Sequence, residues 1–161
     1  MRLTGSVKVD LGKLKAVREA NKPDGDQMTR WKKRSARRYR SFLQKRFDRF
    51  SRGGGNWKKT ARVLSGAAQF ILRKTHTLFR ALSPIYRGLP GQFERITKNT
   101  IQTGYGGQAR HPNSKITVAK LARVHNNGLG IVSQRQIVVR PSSEVVRDIT
   151  ADLDRTVKRG Q

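Results

Sequence analysis

The 161-residue sequence has no cysteine. Disulfide scaffolds, thiolate zinc sites, iron–sulfur ligation and cysteine nucleophiles are thereby excluded. Acidic residues are scarce, 10 against 36 lysines and arginines, so carboxylate pairs for acid–base chemistry have few sources. No run of about 18 apolar residues occurs, and no membrane-spanning helix is predicted. The opening MRLTGSVKVDLGKL has no apolar segment of the signal-peptide kind, so the expectation is a protein that stays where it is made. Apolar residues make up 35% of the chain and mean hydropathy is −0.71. A chain this polar lies near the border where burial only just offsets the entropy of ordering. Help from an anionic partner or from assembly is therefore expected. The length suits one domain, taken as residues 1–161.

What the sequence does have is positive charge, +26 in all, with a pI near 11.8. It is unevenly placed. Residues 1–26 carry six basic and four acidic groups, and residues 144–161 carry four of each. The middle, 27–143, has Asp48 and Glu94 as its only acids, and Arg30 to Arg62 alone contains fourteen basic residues. A local field of this strength attracts polyanions or acidic protein surfaces and says little about fold.

That basic block is also periodic. Met28, Trp31, Ser35, Tyr39, Phe42, Leu43, Phe47 and Phe50 recur at steps of three and four, the spacing of one helical face. Asp24-Gly25-Asp26 supplies a turn and a candidate cap. Gly53-Gly54-Gly55 ends the pattern, since three glycines lose too much backbone entropy to stay helical. The prediction is one long helix over 26–51, aromatic inside and cationic outside, with the glycine loop 52–57 completing a possible projecting arm. The periodicity turns the aromatics inward, away from any role in stacking bases.

Other elements follow from the same reasoning. Leu3 to Asp10 alternates and predicts a strand; Asp10 then caps a short helix bearing Leu11, Leu14 and Val17. Ala68, Ile71, Leu72, Leu78, Phe79 and Leu82 predict a second amphipathic helix ending at Ser83-Pro84. Gln92 to Gly106 reads as a hairpin around Thr97-Lys98-Asn99. A helix over about 115–126, with Val118, Leu121, Ala122 and His125, stops at Asn126-Asn127-Gly128. Gln136–Arg140 reads as a strand, and Ser142 caps a last helix with Val145, Val146, Ile149, Leu153 and Val157 facing inward. The predicted class is α+β: a small antiparallel sheet packed against a long amphipathic helix and shorter helices.

No active site emerges. His76 falls in a helical stripe, His111 in a turn, and His111 and His125 lack the spacing of a zinc protease. Asp148, Asp152 and Asp154 are assigned to the outer faces of the last helix, where i,i+4 ion pairs account for them. Gly104-Tyr105-Gly106-Gly107 is followed by no P-loop lysine. A non-enzymatic protein without metal or cofactor is expected.

Three segments resemble one family, the phage virion morphogenesis or tail completion proteins of the Mu type. The first runs from Phe47-Asp48-Arg49-Phe50 through Gly53-Gly54-Gly55-Asn56-Trp57-Lys58-Lys59-Thr60. The second is Phe70 to Leu82, similar to the family's "iL-x-x-[TS]-G-x-L" helix, with His76 where glycine is usual. The third, Leu121 to Gly128, is similar to "YA-x-x-H-x-x-G". The "P-x-R-x-f-l" segment expected next is met by Ser133-Gln134-Arg135-Gln136-Ile137-Val138, without the proline. The order runs along most of the chain, from about residue 2 to 158.

The resemblance implies a structural protein of the virion neck, at the head–tail interface, in a hexameric or dodecameric ring around the DNA channel. Its partners would be copies of itself, the portal, adaptor or connector, and the tail tube or tail terminator, with packaged DNA as a further contact and no membrane. Assembly would take place in the host cytoplasm. The expected interface is Arg30, Lys32, Lys33, Arg34, Arg37, Arg38, Arg40, Lys45, Arg46, Arg49, Trp57, Lys58 and Lys59. Trp57 is read as an anchor for the glycine loop, against its own domain or a neighbour. Leu72, Leu78, His125, Gly128 and Arg135 are read as structural: His125 to hydrogen-bond its turn, Arg135 to pair with a carboxylate or with carbonyls. Reversing Arg37, Arg38 and Arg40 together is expected to block head–tail joining with the fold intact. Two rivals are a stand-alone basic nucleic-acid-binding protein, which lacks a recognised binding motif, and a phage scaffold or internal protein, expected to be more helical.

Overall fold

A computed structural model of the chain describes residues 3–8, 25–69, 72, 75–97, 100–112, 115–130 and 132–158, with only the backbone considered for 3–8 and 62. The order is β1 (Leu3–Lys8), α1 (Gly25–Ser51), α2 (Ala61–Leu64), α3 (Thr77–Ala81), β2 (Gln92–Ile96), β3 (Thr100–Tyr105), α4 (Val118–Asn127) and α5 (Ser143–Lys158). The fold is α+β. The predicted helix after Asp10 and the Asp24 cap lie outside the described residues.

The sheet has order β1-β3-β2, antiparallel throughout. The hairpin aligns Gln92 with Tyr105 and Ile96 with Ile101, while β1 aligns Leu3 with Tyr105 and Lys8 with Thr100. Tyr105, at the end of the central strand, donates its hydroxyl to the Leu78 carbonyl at 2.7 Å, tying sheet to α3. Burial pushes that phenol well above its ordinary pKa, so it remains a donor.

Helix α1 is the spine, packed along its length and not a projecting arm. Its first half closes a small cluster, Trp31 against Ile149, Leu153 and Val157 of α5, and the Trp31 indole donates to the Ile149 carbonyl at 3.2 Å. Its second half supplies Tyr39, Leu43 and Phe47 to the larger cluster with Trp57, Leu78, Leu82, Tyr105, Ala122 and Ile137. The aromatic stripe therefore points inward, as its spacing predicts. In α5, Val146 is exposed while Ile149, Leu153 and Val157 are buried.

The second amphipathic helix is not continuous. Leu72 and His76 have φ of 59° and 55°, left-handed values that no α-helix passes through; among the described residues of this stretch the helical ones are Thr77–Ala81, with His76 as their left-handed N-cap. His76 thus occupies, at positive φ, the position where the resembled motif has glycine. Left-handed backbone costs a non-glycine residue roughly 1–2 kcal/mol, partly offset by the greater unfolded-state entropy of glycine. His76→Gly should accordingly raise the melting temperature by about 2–4 °C; a lower melting temperature by calorimetry would contradict this backbone geometry.

Gln136–Arg140 forms no strand. The Ile137 and Val138 N–H groups both donate to the Asn126 side-chain carbonyl at 2.9 Å. One amide side chain thus satisfies donors that a neighbouring strand would otherwise have to meet. The helix before it ends as the sequence predicts: Gly128 closes α4 with φ 66°, where a Cβ would also meet Gln134 at 2.9 Å.

Candidate interaction surface

The cationic face of α1 is real but smaller than the sequence implies. Arg30, Lys33, Arg34, Arg37, Lys45 and Arg49 are exposed on the helix, and Lys58 and Lys59 are exposed beyond it. Lys32, Arg38 and Arg46 are half-buried, and the Arg46 guanidinium lies over the Phe50 ring at 4.1 Å from its centroid.

Two expected contact residues lie inside instead. Arg40 is 1% exposed. Its Nε donates to Thr103 Oγ1 at 2.6 Å, its Nη2 pairs with Glu94, and its guanidinium lies over the Tyr86 ring. Burial lowers the Arg40 pKa, and Glu94 works against that fall. Trp57 is also buried, edge-on to Phe47 and Phe50 with ring centroids 5.3 and 5.6 Å away. It anchors the glycine loop to its own domain. Gly55 permits the same closure, because a Cβ there would lie 2.4 Å from the Phe50 ring.

Reversing Arg37, Arg38 and Arg40 would consequently damage the fold. Arg40 would become a buried acid facing Glu94, and Arg38 donates to the Asp148 carbonyl at 2.7 Å. The reversible cations are those at the surface.

Along one edge of α1 the charges meet α5. Asp152 Oδ2 accepts from Arg34 Nε at 3.0 Å, while Oδ1 lies 3.9 Å from Arg38 and 4.0 Å from Arg155. Arg34 Nη2 also donates to Thr156 Oγ1 at 2.7 Å. Asp152 is therefore an interhelical hub, with its side chain only 13% exposed, and not an outer-face residue. The sequence carried a signal for this: Asp152 follows Ile149 by three and precedes Thr156 by four, flanking the buried stripe.

The residues read as structural divide differently from expectation. Leu78 is buried, and Leu72 packs half-buried on the larger cluster. Arg135 is 5% exposed and pairs with carbonyls. Its Nη2 and Nε donate to Lys58 O at 2.9 and 3.3 Å, and Nη1 donates to Ser133 O at 3.1 Å. It thereby clasps the segment just after Trp57. His125 does not brace its turn with its ring, for Nδ1 is buried with no hydrogen-bond partner among the described residues. Its backbone carbonyl accepts the Arg135 N–H at 2.6 Å, and Asn126 supplies the side-chain bonds.

Burial first, and the Arg135 charge second, pull the His125 imidazole down from 6.5 to about 4. Between those values the unfolded chain binds a proton that the folded chain refuses. The stability of the neutral ring is complete above about pH 6.5 and is lost as pH falls through about 4. His125→Gln should show a smaller loss of melting temperature from pH 7 to pH 4 than the unaltered chain. Identical pH profiles would place the ring in water.

Among the described residues, no group of three histidine, cysteine or acidic side chains could hold a metal ion, and no helix is long and apolar enough to cross a membrane. Comparison of the chain with protein-family models, with curated proteins and with solved structures returns no match.

Proposed function

We propose that this chain is a non-enzymatic structural subunit of the phage virion neck, forming a closed ring that joins or completes head and tail around the DNA channel. The observation that carries the reading is where the three resembling segments meet. Phe47 and Trp57 from the first, Leu78 and Leu82 from the second, Ala122 from the third and Ile137 from the segment after it share one buried cluster. Residues dispersed over ninety positions thus behave as one packing unit, as a family signature made of structural residues would. The left-handed His76 at the motif's glycine position supports the same reading.

A closed ring requires a heterologous interface whose rotation closes, and a ring would bury surface that this polar chain lacks partners for. The exposed cations of α1 suit acidic faces of a portal, adaptor or tail-tube partner, where charge complementarity mainly sets orientation and association rate. The uncompensated charge equally favours the second reading, a stand-alone nucleic-acid binder.

The test uses cations that leave the fold alone. Lys33→Glu, Arg37→Glu and Lys45→Glu together should leave the melting temperature within a few degrees, yet yield filled heads and free tails in a complementation assay. Normal infectious particles would refute a contact role for this face. Native mass spectrometry in moderate salt should show a ring-sized oligomer, alone or with a neck partner; a strict monomer that never enters particles would overturn the neck reading.

A further inference from the structure

The seam between α1 and α5 holds an open cleft of about 420 Å³ in which four of the seven lining residues are arginines. Arg30, Arg34 and Arg38 enter it from α1 and Arg155 from α5, against a single carboxylate, Asp152. Four cations and one acid leave three positive charges in one concavity. Gln27 and Thr156 complete the lining, and no aliphatic or aromatic side chain contributes.

We propose that this cleft is a binding site for the phosphodiester backbone of DNA. Resting on the neck reading for its setting, the site assigns part of the α1 surface to nucleic acid.

The cations are all arginines, whose planar forks bind phosphate or carboxylate oxygens bidentately in a way that ammonium groups do not. Two features then select phosphate over an acidic protein. Arg30, Arg34 and Arg38 follow one another at four-residue steps, a rise of about 6 Å each along α1. That makes a ladder of cations suited to a ladder of regularly spaced anions. The core of a protein interface is apolar and depleted in charge, whereas this cleft is lined by charged and polar side chains alone.

Asp152 has a positive role in the arrangement. By accepting Arg34 Nε, and with Thr156 Oγ1 accepting Nη2, it fixes one guanidinium against the cleft wall. Arg30 makes no ion pair or hydrogen bond with any described residue, and Arg155 reaches Asp152 only at 4.0 Å. These two cations are the least committed to the fold. The adjoining stretch of the seam shares Arg38 and Arg155 and has Lys45, but Glu144 and Asp148 line it as well. Its excess of positive charge is therefore smaller, and the phosphate track centres on the end of the seam nearest the start of α1.

The experiment measures binding of the full chain to a fluorescent 30-base-pair duplex across a salt series, with poly-glutamate as the acidic-polypeptide probe. Arg30→Glu with Arg155→Glu should weaken duplex binding at least tenfold at 0.15 M salt. It should also lower the slope of log affinity against log salt by about 2, one for each lost phosphate contact. Arg95→Glu with Lys120→Glu changes the net charge equally from exposed positions on β2 and α4, and should weaken binding less than threefold. The neutral pair Arg30→Gln with Arg155→Gln keeps the test valid should charge reversal disturb the fold.

Equal losses from both charge-reversed pairs would overturn the site in favour of a diffuse field. Poly-glutamate binding as tight as duplex, and equally sensitive to Arg30 and Arg155, would overturn it in favour of an acidic protein. The two proposals also fail separately. Duplex binding through these arginines by a chain that never enters particles sinks the neck reading alone. Normal head–tail joining with duplex affinity insensitive to the pair sinks this one alone.

Discussion

Glu94→Ala should cost the fold about 3–5 kcal/mol, the loss expected when one partner of a buried ion pair is removed and the other stays charged inside. Arg40 is the side chain left behind. It is 1% exposed, and its remaining bond goes to Thr103 Oγ1, a neutral acceptor. Burial already lowers its pKa, with Glu94 the leading opposing influence and Tyr86 the lesser, so deleting the carboxylate removes the larger of the two that oppose desolvation. The pair also joins α1 to the β2–β3 hairpin, so its loss loosens the element that supports Tyr105. Replacing both residues by methionine should recover most of the lost stability, because an apolar pair avoids the desolvation cost altogether. Urea unfolding of the three proteins is sufficient. A loss below 1 kcal/mol for Glu94→Ala would mean that Arg40 reaches water when its partner is gone.

Arg40 also shows why the helix was legible and its interface only partly so. The buried residues Trp31, Ser35, Tyr39, Leu43 and Phe47 are spaced by four. Each step of four advances about 40° beyond a full turn. From Trp31 to Phe47 the buried face therefore rotates by about 160°. Arg30, near one end, stays outside, while Arg40 is overtaken by the rotating face. The spacing was readable from the sequence, but which side the sheet covers depends on where the hairpin docks.

Other differences share that origin. Val138 and Val139 suit a strand, yet a strand needs a partner, and Asn126 already holds the N–H groups of Ile137 and Val138. The apolar positions from Ala68 to Leu82 suit a helix, yet Leu72 and His76 turn left-handed. Sequence spacing places Asp152 in local ion pairs because it reveals neighbours on one helix and not across two. By contrast, the hairpin, α4 with its Gly128 cap and the α+β class were all legible, being determined by local patterns. The arginine cleft was invisible as a site, because it exists only where α1 and α5 lie side by side. Arg30, Arg34 and Arg38 were in view as part of the charge excess, whereas Arg155 belongs to the charge-balanced final segment.

Trp57→Ala should be comparably severe, at about 3–5 kcal/mol for truncating a large buried aromatic. The indole is 5% exposed and meets Phe47 and Phe50 edge-on, contacts that add to its area burial. Its Nε1–H has no hydrogen-bond partner among the described residues, so the hydrogen bond lost in Trp57→Phe is none. Phenylalanine should therefore retain more than half the stability that alanine forfeits. The consequence reaches the exposed lysines through the loop: Lys58, next in sequence, is held by Arg135 through its carbonyl. Truncating Trp57 removes an attachment of the segment that holds Lys58 and Lys59 at the surface, leaving the Arg135 clasp on Lys58. The loss should be measurable in the isolated chain, before any partner is added. A Trp57→Ala chain as stable as the original but defective in association with any partner would instead make the tryptophan an anchor for a neighbour.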